Sequence, residues 1–230
     1  MVLIVLMSFC LDNIEISPEI KVSQPRKKRC LNISARDFAA ILGQDPYTDA
    51  WKLLEQKVEG KHKFFGNEHT KRGNALEPEA IMVYECVTKN VVNSKLQTTS
   101  HPKYPFIRGR PDGISQNNSC LVEIKCPKRK RQYQVKPVDI SRQYWMQIQV
   151  YLEMYDLEIA HYVEYHKEGN NPNTANLNYC VVLRDRAWWN NSIPKIQNFY
   201  DEVYYFTDLG SLDTHPVRQI INNWEDASFR

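Results

Sequence analysis

The sequence predicts an α/β protein in which a mixed β-sheet is flanked by helices. Its 230 residues, 42% of them hydrophobic, are enough for one full domain with a sizeable core and exclude a disordered chain. Segments with apolar residues at helical spacing alternate with short runs typical of strands. Their order is helices, a strand meander, then helix, strand, strand and helix, which is the pattern of a mixed α/β fold.

The chain begins with an apolar run at residues 2–7 and reaches a basic run at residues 26–29. The apolar run is too short to cross a bilayer, which takes about 20 residues. It also lacks the charged start and the cleavage site of a signal peptide. Either it forms a buried or edge strand, the interpretation we favour, or it is a poorly ordered terminus. We therefore expect a soluble protein with no membrane contact.

Three helices are expected before the first of the central strands. The first begins at Ser34, which is spaced from Asp37 as in a capping box, and it ends at Gly43. The second and third are expected at residues 48–57 and 67–89. Pro78 lies inside the third helix and predicts a kink or a new helix start there.

Short strands are expected at residues 91–97, 104–110 and 120–125. The segment PDGISQNNS between the last two is rich in turn residues, so these two strands are expected to pair as an antiparallel hairpin. The remaining elements are a helix at 140–155, strands at 159–165 and 179–183, and a closing helix at 186–206.

Net charge and cysteine usage limit the function classes. The net charge is only +3, so any binding of nucleic acid must come from local basic patches. The six cysteines include no CxxC pair, which argues against a four-thiolate metal site and a disulfide scaffold. A reducing compartment is therefore expected.

The residues that carry chemistry lie around the predicted hairpin. Glu123 and Lys125 are two apart on a strand and project from the same face, and hairpin pairing brings Asp112 beside them. Two carboxylates at one point suit Mg²⁺ or Mn²⁺, and the carbonyl of Ile124 adds an oxygen. A lysine beside that metal orients or deprotonates a water for attack on phosphorus. The competing interpretation is an exposed ion pair of Glu123 and Lys125 beside a simple turn at Asp112.

Other polar residues have ordinary explanations when each is taken alone. Glu77 is explained as a solvated glutamate in the first turn of a helix. Gln147 is explained as a half-exposed amide on a helix flank, and Arg29 as part of a solvated basic run. The capping role accounts for Ser34.

An opening segment and four motifs occur together in one order. They are SARDFAAILGQDPYTDAWKLLEQKVEG, RGNALEP, GRPDG, LVEIKCP and QYWMQIQVYLEM. Over roughly residues 29–165, this ordered set resembles the YqaJ-like viral recombinase family, whose best-known relative is the phage lambda exonuclease.

The resemblance implies a restriction-endonuclease-like core of the PD-(D/E)xK type. By motif, Asp112 and Glu123 are metal ligands and Lys125 is the catalytic lysine. Glu77 matches a helix glutamate that reaches the metal directly or through water. Gln147 matches a glutamine that positions the attacking water or the scissile phosphate. The implied cofactor is Mg²⁺, for which Mn²⁺ is expected to substitute.

The resemblance also implies contacts to the DNA end. Arg29 occupies the place of an arginine that grips the 5′-terminal phosphate. Ser34 fills a position that is usually threonine, and Arg36 stands where the family often has serine. Arg36 therefore either adds a phosphate contact or forms a salt bridge on the helix surface. Arg72 is included in the same DNA-binding set.

A basic run follows the catalytic strand directly and consists of Lys128, Arg129, Lys130 and Arg131. A solvated loop is the alternative explanation. The position of the run beside the metal site favours contacts to DNA backbone phosphates, which are independent of sequence and weakened by salt.

The implied function is 5′→3′ exonuclease action on double-stranded DNA in viral recombination and replication, leaving 3′ tails for an annealing protein. The alternatives are a structure-specific or nicking endonuclease on the same core and a catalytically silent DNA-binding module. Relatives often form ring-shaped trimers, so a homotrimer is considered, in the cytoplasm or nucleus of an infected host. The expected organisation is an N-terminal strand and basic linker at 1–28, an exonuclease domain at 29–210 and a tail at 211–230.

Overall fold

The computed structural model describes residues 31–61, 66–169 and 171–221. Within these ranges the chain divides into two compact units. One unit contains residues 33–39 and 66–190, and the other contains residues 31–32, 40–61 and 191–221. The predicted strand at 2–7 and the basic run at 26–29 lie outside the described residues. No helix in the described ranges is both long and apolar enough to cross a membrane.

Within the described residues, five α-helices follow the predicted order. They are α1 (Asp37–Ile41), α2 (Ala50–Val58), α3 (Glu68–Thr88), α4 (Arg142–Tyr155) and α5 (Arg186–Leu209). The predicted stop of α1 is confirmed, since Gly43 has a φ of +67° and its N–H donates to the carbonyl of Ala40. The predicted start at Ser34 is wrong, because Ser34 belongs to a short strand and the helix begins at Asp37. The Asp37 carboxylate nevertheless accepts a hydrogen bond from the N–H of Ser34 at 2.7 Å, which is one half of the predicted capping box. Helix α3 runs through Pro78 as one helix.

In the part of the chain that the structure describes, eight strands form two sheets. The strands are β1 (Ile33–Ser34), β2 (Val92–Asn93), β3 (Thr99–Ser100), β4 (Ile107–Gly109), β5 (Gly113–Ser115), β6 (Leu121–Lys125), β7 (Ile159–His166) and β8 (Asn176–Leu183). The larger sheet has the order β2-β5-β6-β7-β8, and the smaller has the order β1-β4-β3. Strands β6 and β7 are parallel, as are β1 and β4, while the other pairs are antiparallel. The predicted mixed α/β class is confirmed.

The predicted hairpin between 104–110 and 120–125 is wrong. Strand β4 belongs to the smaller sheet, and the partner of β6 is β5, which lies inside the segment expected to be a turn. The turn itself is shorter and uses Asn118, whose φ of +53° is left-handed. The three residues of β5 are all buried, and this burial outweighs the turn preference of the segment. Asp112 therefore precedes the strand that pairs with β6.

Gly113 is required by its neighbour on β2. A Cβ at this position would lie well inside 3.0 Å of the Val92 side chain, a separation that real Cβ atoms essentially never show. We expect Gly113→Ala to lower the free energy of unfolding by about 1–3 kcal/mol through overpacking. Urea unfolding measures the change. In a Val92→Ala background, Gly113→Ala should lower the free energy of unfolding by less. An equal loss in both backgrounds would contradict this explanation.

Strand β6 separates a core face from a polar face. Val122 and Ile124 join Ala80 and Tyr84 of α3 in a buried apolar cluster. The alternate residues of β6 point to the opposite face, on the side of α4. Position along one strand thus decides which residues build the core and which are available for chemistry.

Candidate active site

Glu123 and Lys125 lie side by side on the polar face of β6, as the two-residue spacing predicts. The Lys125 ammonium forms an ion pair with Glu123 Oε1. The pair is not exposed, because the side chain of Glu123 is 1% accessible and that of Lys125 is 17% accessible. The alternative interpretation, an ordinary exposed ion pair, therefore does not describe this site. Burial opposes the charged form of Lys125, but its pKa is nevertheless raised because Glu123 and Asp112 stabilise the ammonium.

Asp112 reaches the same place from the start of β5. Its Oδ2 accepts a hydrogen bond from the N–H of Ile124 at 2.7 Å. Backbone pairing between β5 and β6 ends at Gly113 and Val122. Beyond this pair, the Asp112 side chain replaces a strand backbone as the hydrogen-bond acceptor for β6. The N–H and C=O of one strand residue face the same neighbouring strand. The carbonyl of Ile124 therefore also faces Asp112, as a metal ligand at this position requires.

Glu123 is the residue whose environment most strongly indicates a missing partner. Its Oε2 is buried and has no hydrogen-bond partner among the described residues. Burial, followed by the charge of Asp112, raises its pKa to about 7. A buried carboxylate oxygen without a donor is costly, and a divalent cation is a partner that removes the cost. The donor set of two carboxylates and a carbonyl fits Mg²⁺ or Mn²⁺.

The protein ligands alone do not complete a metal cage. In the described part of the chain, no group of three or more His, Cys, Asp or Glu side chains is arranged to hold a metal ion. A cation bound at Asp112 and Glu123 would therefore complete its shell with the Ile124 carbonyl, waters and the substrate, as Mg²⁺ commonly does.

Glu77 lies on α3 within electrostatic reach of these residues. Partial burial, and then the negative charge of Asp112, raises the pKa of Glu77 above its ordinary value. The charges of Arg110 and Lys125 act in the opposite direction. The structure thus places Glu77, half-buried in the middle of α3, near Asp112, so the interpretation as a solvated first-turn glutamate is wrong.

Gln147 is buried on α4, facing the polar side of β6. Its Nε2 donates to the hydroxyl of Tyr151 at 3.3 Å. Burial, followed by the charge of Glu123, raises the pKa of Tyr151 to about 12, which places this neutral hydroxyl near the carboxylate. A Cβ on Gly109 would lie 2.5 Å from the Tyr151 ring, so glycine is needed for this close approach.

Sequence reasoning missed two aromatic residues of the site. Hydrophobic periodicity places Tyr144 and Tyr151 on the apolar stripe of α4. In the structure, Tyr151 contacts Gln147, and the Lys125 ammonium lies 4.7 Å from the centre of the Tyr144 ring. Tyr144 in turn stacks on Tyr162 of β7. The available signal was the four-residue spacing from Gln147 to Tyr151, which places both on one helix face.

The residues predicted to bind the DNA end do not all lie near the candidate metal site. Arg36 is exposed, and its charge acts on Glu123 and Glu77, so it lies near the candidate metal site. Arg72 donates to the carbonyl of Lys167 at 2.8 Å. Arg29 lies outside the described residues. Ser34 belongs to β1, and its N–H is bonded to Asp37.

The basic run after β6 contains two kinds of residue. Lys128, Arg129 and Lys130 are exposed, and Lys128 makes only an exposed ion pair with Glu68 at 3.4 Å, of a kind that contributes little. Arg131 instead forms a two-bond ion pair with the buried Glu164 of β7, at 2.7 Å and 2.8 Å. Its guanidinium is therefore a structural tether, and the expectation of DNA contacts now depends on the other three residues.

Arg131→Gln is expected to lower the free energy of unfolding by about 3 kcal/mol, because it leaves Glu164 buried without its partner. The double variant Arg131→Gln/Glu164→Gln should recover part of the loss.

In DNA binding, Lys130→Gln should reduce the slope of log affinity against log salt by about 1, as expected for one phosphate contact. A similar reduction in Arg131→Gln would contradict the tether and favour a direct DNA contact.

Comparison with known proteins identifies the family of this chain. Residues 25–158, more than half of the chain, match the YqaJ-like viral recombinase domain. The chain belongs to this family. No curated protein sequence matches this YqaJ-like protein at a significant level.

Solved structures with the same fold include two alkaline exonuclease structures. The YqaJ-like protein is 21% identical to the alkaline exonuclease LHK-Exo from Laribacter hongkongensis, with a TM-score of 0.63, over 79% of this chain and 92% of that chain. LHK-Exo in complex with dAMP has the same identity and score, over 78% and 91%. A phage related exonuclease from Haemophilus somnus 129PT is 16% identical, with a TM-score of 0.57, over 77% and 94%. At these identities the likeness establishes a shared nuclease-type fold.

Proposed function

We propose that this protein is a Mg²⁺-dependent exonuclease that degrades double-stranded DNA in the 5′→3′ direction. The observation that carries the proposal is the buried Oε2 of Glu123, which lacks a partner among the described residues and lies beside Asp112 and Lys125. Family membership and the exonuclease names of the structural neighbours support the same reaction class. One neighbour binds dAMP, a deoxynucleoside monophosphate, and this supports DNA as the substrate.

Asp112, Glu123 and the Ile124 carbonyl are the residues that would hold Mg²⁺. When bound, the ion stabilises negative charge that develops on the phosphate and makes a coordinated water more acidic. Asp112 is fixed for this role by its hydrogen bond to the N–H of Ile124. Glu123 is fixed by its ion pair with Lys125 and by burial within the unit that contains β6.

Lys125 acts as an ammonium in this proposal. Its raised pKa favours the protonated form, so it orients a water and stabilises phosphate oxygens rather than removing a proton. The Tyr144 ring, 4.7 Å from the ammonium, holds it by a cation–π interaction. Gln147, anchored by the Tyr151 hydroxyl, positions the water or the scissile phosphate. Glu77, with its raised pKa, is available to take up a proton near this site.

DNA contacts are proposed for the exposed cations around the site. Lys128, Arg129 and Lys130 follow the catalytic strand directly and would bind backbone phosphates. Arg36 would contact a phosphate near the metal. From the resemblance alone, Arg29, which lies outside the described residues, would bind the 5′-terminal phosphate. The product would be a duplex with 3′ single-stranded tails, which an annealing protein would bind. A homotrimer is proposed from the resemblance and is tested by sedimentation of the purified protein.

The deciding experiment compares linear DNA bearing 5′-phosphates with a covalently closed circle of the same sequence, in Mg²⁺ and in EDTA. We expect only the linear form to be digested, and only when Mg²⁺ is present. A label at the 5′ end should be released before a label at the 3′ end. Cutting of the circle would replace the proposal with an endonuclease. Binding of both forms without cleavage would replace it with a silent DNA-binding module.

A further inference from the structure

Arg108 lies at the centre of the smaller sheet with a serine on each side. It belongs to β4, the middle strand, and is in register with Ser34 of β1 and with Ser100 of β3. Residues in register on neighbouring strands project from the same face of a sheet. The three side chains therefore form one row, on the face opposite the buried side chains of Ile33 and Ile107.

The guanidinium of Arg108 has no protein partner in the part of the chain that the structure describes. The residue is half-buried, and its Nε is shielded from solvent without a hydrogen bond. The Nε of Arg184 is also buried without a hydrogen bond, but Arg184 has a counter-charge in Glu153, as Arg131 has in Glu164. A partly buried cation without a counter-charge is unfavourable, so its position between two hydroxyl groups indicates a site for an anion.

We propose that Ser34, Arg108 and Ser100 form an oxyanion site that binds a phosphate group of the DNA substrate. A guanidinium matches the geometry of a phosphate with two parallel N–H bonds, and serine hydroxyls on either side donate further hydrogen bonds. The proposal rests on the function proposed above and adds two residues, Arg108 and Ser100, that neither the motifs nor the resemblance indicated.

The chain leads from this row to the candidate active site. Two residues beyond Ser34 is Arg36, whose charge acts on Glu123. Two residues beyond Arg108 is Arg110, whose charge acts on Glu77. A two-residue step along an extended strand such as β4 covers about 6.6 Å, whereas Arg36 lies in the turn between β1 and α1. The row thus extends a series of cations that starts at the catalytic carboxylates, where a DNA strand would approach.

The bound phosphate is either the 5′-terminal phosphate or an internal backbone phosphate, and two hairpin duplexes distinguish them. One carries a 5′-phosphate and the other a 5′-hydroxyl, and binding is measured by fluorescence anisotropy in EDTA at several salt concentrations. Arg108→Gln should weaken binding about tenfold to hundredfold, as expected for the loss of a charge-assisted contact. Ser34→Ala and Ser100→Ala should each weaken it about threefold to tenfold.

The matched control is Lys95→Gln, which removes one positive charge from the same unit, as Arg108→Gln does, but from an exposed position. A loss confined to the 5′-phosphorylated duplex assigns the site to the terminal phosphate. An equal loss on both duplexes, with a salt slope reduced by about 1, assigns it to an internal phosphate. Both results support an oxyanion site. Binding by Arg108→Gln that equals that of Lys95→Gln, with an unchanged slope, would overturn it.

Further measurements distinguish the loss of a phosphate contact from misfolding of the variant and from failure of the proposed function. Thermal unfolding checks Arg108→Gln, and if that variant does not fold, Arg108→Lys keeps the charge while removing the planar fork, so a weaker phosphate contact is still expected. Failure of the wild-type protein to bind either duplex would overturn both proposals. Wild-type digestion of linear DNA together with unaffected Arg108 variants would overturn this inference alone.

Discussion

Replacing Lys125 by alanine is expected to reduce DNA cleavage by about a hundredfold to ten-thousandfold, the range for loss of a positioned catalytic group. The physical reason is that the ammonium is held between Glu123 and the Tyr144 ring, where it faces the proposed metal ligands. DNA affinity should change little, because sequence-independent binding depends on many phosphate contacts. Single-turnover cleavage of a labelled duplex measures the first effect, and anisotropy measures the second.

The control for Lys125→Ala is a measurement of stability. The substitution leaves Glu123 buried without its ion-pair partner, so a loss of about 1–3 kcal/mol in the free energy of unfolding is expected. The assays must therefore be made well below the unfolding temperature of the variant. Lys95→Ala, at an exposed position, should retain wild-type cleavage. Wild-type activity in a folded Lys125→Ala protein would show that the site has been assigned to the wrong residue.

Replacing Glu123 by glutamine is expected to weaken Mg²⁺ or Mn²⁺ binding by at least about tenfold to a hundredfold, because even the loss of a residue that only supports a metal ligand has an effect of that size. Cleavage should fall with it. Binding of Mn²⁺, followed by its electron paramagnetic resonance signal, measures the affinity without any need for activity. Glu68→Gln is the matched control, since Glu68 is exposed. Unchanged Mn²⁺ affinity in Glu123→Gln would remove this carboxylate from the ligand set.

The pH dependence of the same variant gives an independent check. Because the pKa of Glu123 is raised to about 7, the carboxyl is mainly neutral below that pH, and a metal ion must displace its proton. Metal affinity should therefore rise with pH through about 7 in the wild type and lose this part of its pH dependence in Glu123→Gln.

The stability of the metal-free protein should change with pH in the opposite direction. Between the ordinary glutamate pKa of 4.5 and about 7, the folded state binds a proton at Glu123 that the unfolded state has released. Stability therefore falls as the pH rises through this window. The Glu123→Gln protein lacks this proton and should show a flatter stability profile in urea unfolding. Equal slopes in both proteins would contradict a raised pKa at Glu123.

Local rules predicted much of strand β6, which carries the candidate site. The two-residue spacing of Glu123 and Lys125 was enough to place them on one face, because strand periodicity does not depend on tertiary contacts. Gly43 ended its helix as expected, since few other residues adopt a left-handed backbone at low cost. The motif order predicted the family, and the helix–strand order predicted the fold class.

Pairing between distant segments was less predictable. The turn residues of PDGISQNNS predicted a loop. In the structure, Ile114 of this segment lies in a buried strand that pairs with β2 along one edge and with β6 along the other. Arg131 looked like its basic neighbours, and only the position of Glu164, 33 residues later, makes it a tether. Tyr151 looked like a core residue because its hydroxyl contact with Gln147 has no signal in hydrophobic periodicity.

The hydrogen bond from the N–H of Ile124 to Asp112 has a practical consequence for trapping an enzyme–substrate complex. An inactive protein for co-crystallisation should lose turnover without a change in how the edge of the catalytic strand is built. A substitution at Asp112 changes both, because this carboxylate ends the pairing of β6 as well as facing the proposed cation. Lys125→Ala leaves that backbone contact in place, so it is the better starting point for capturing DNA on the enzyme.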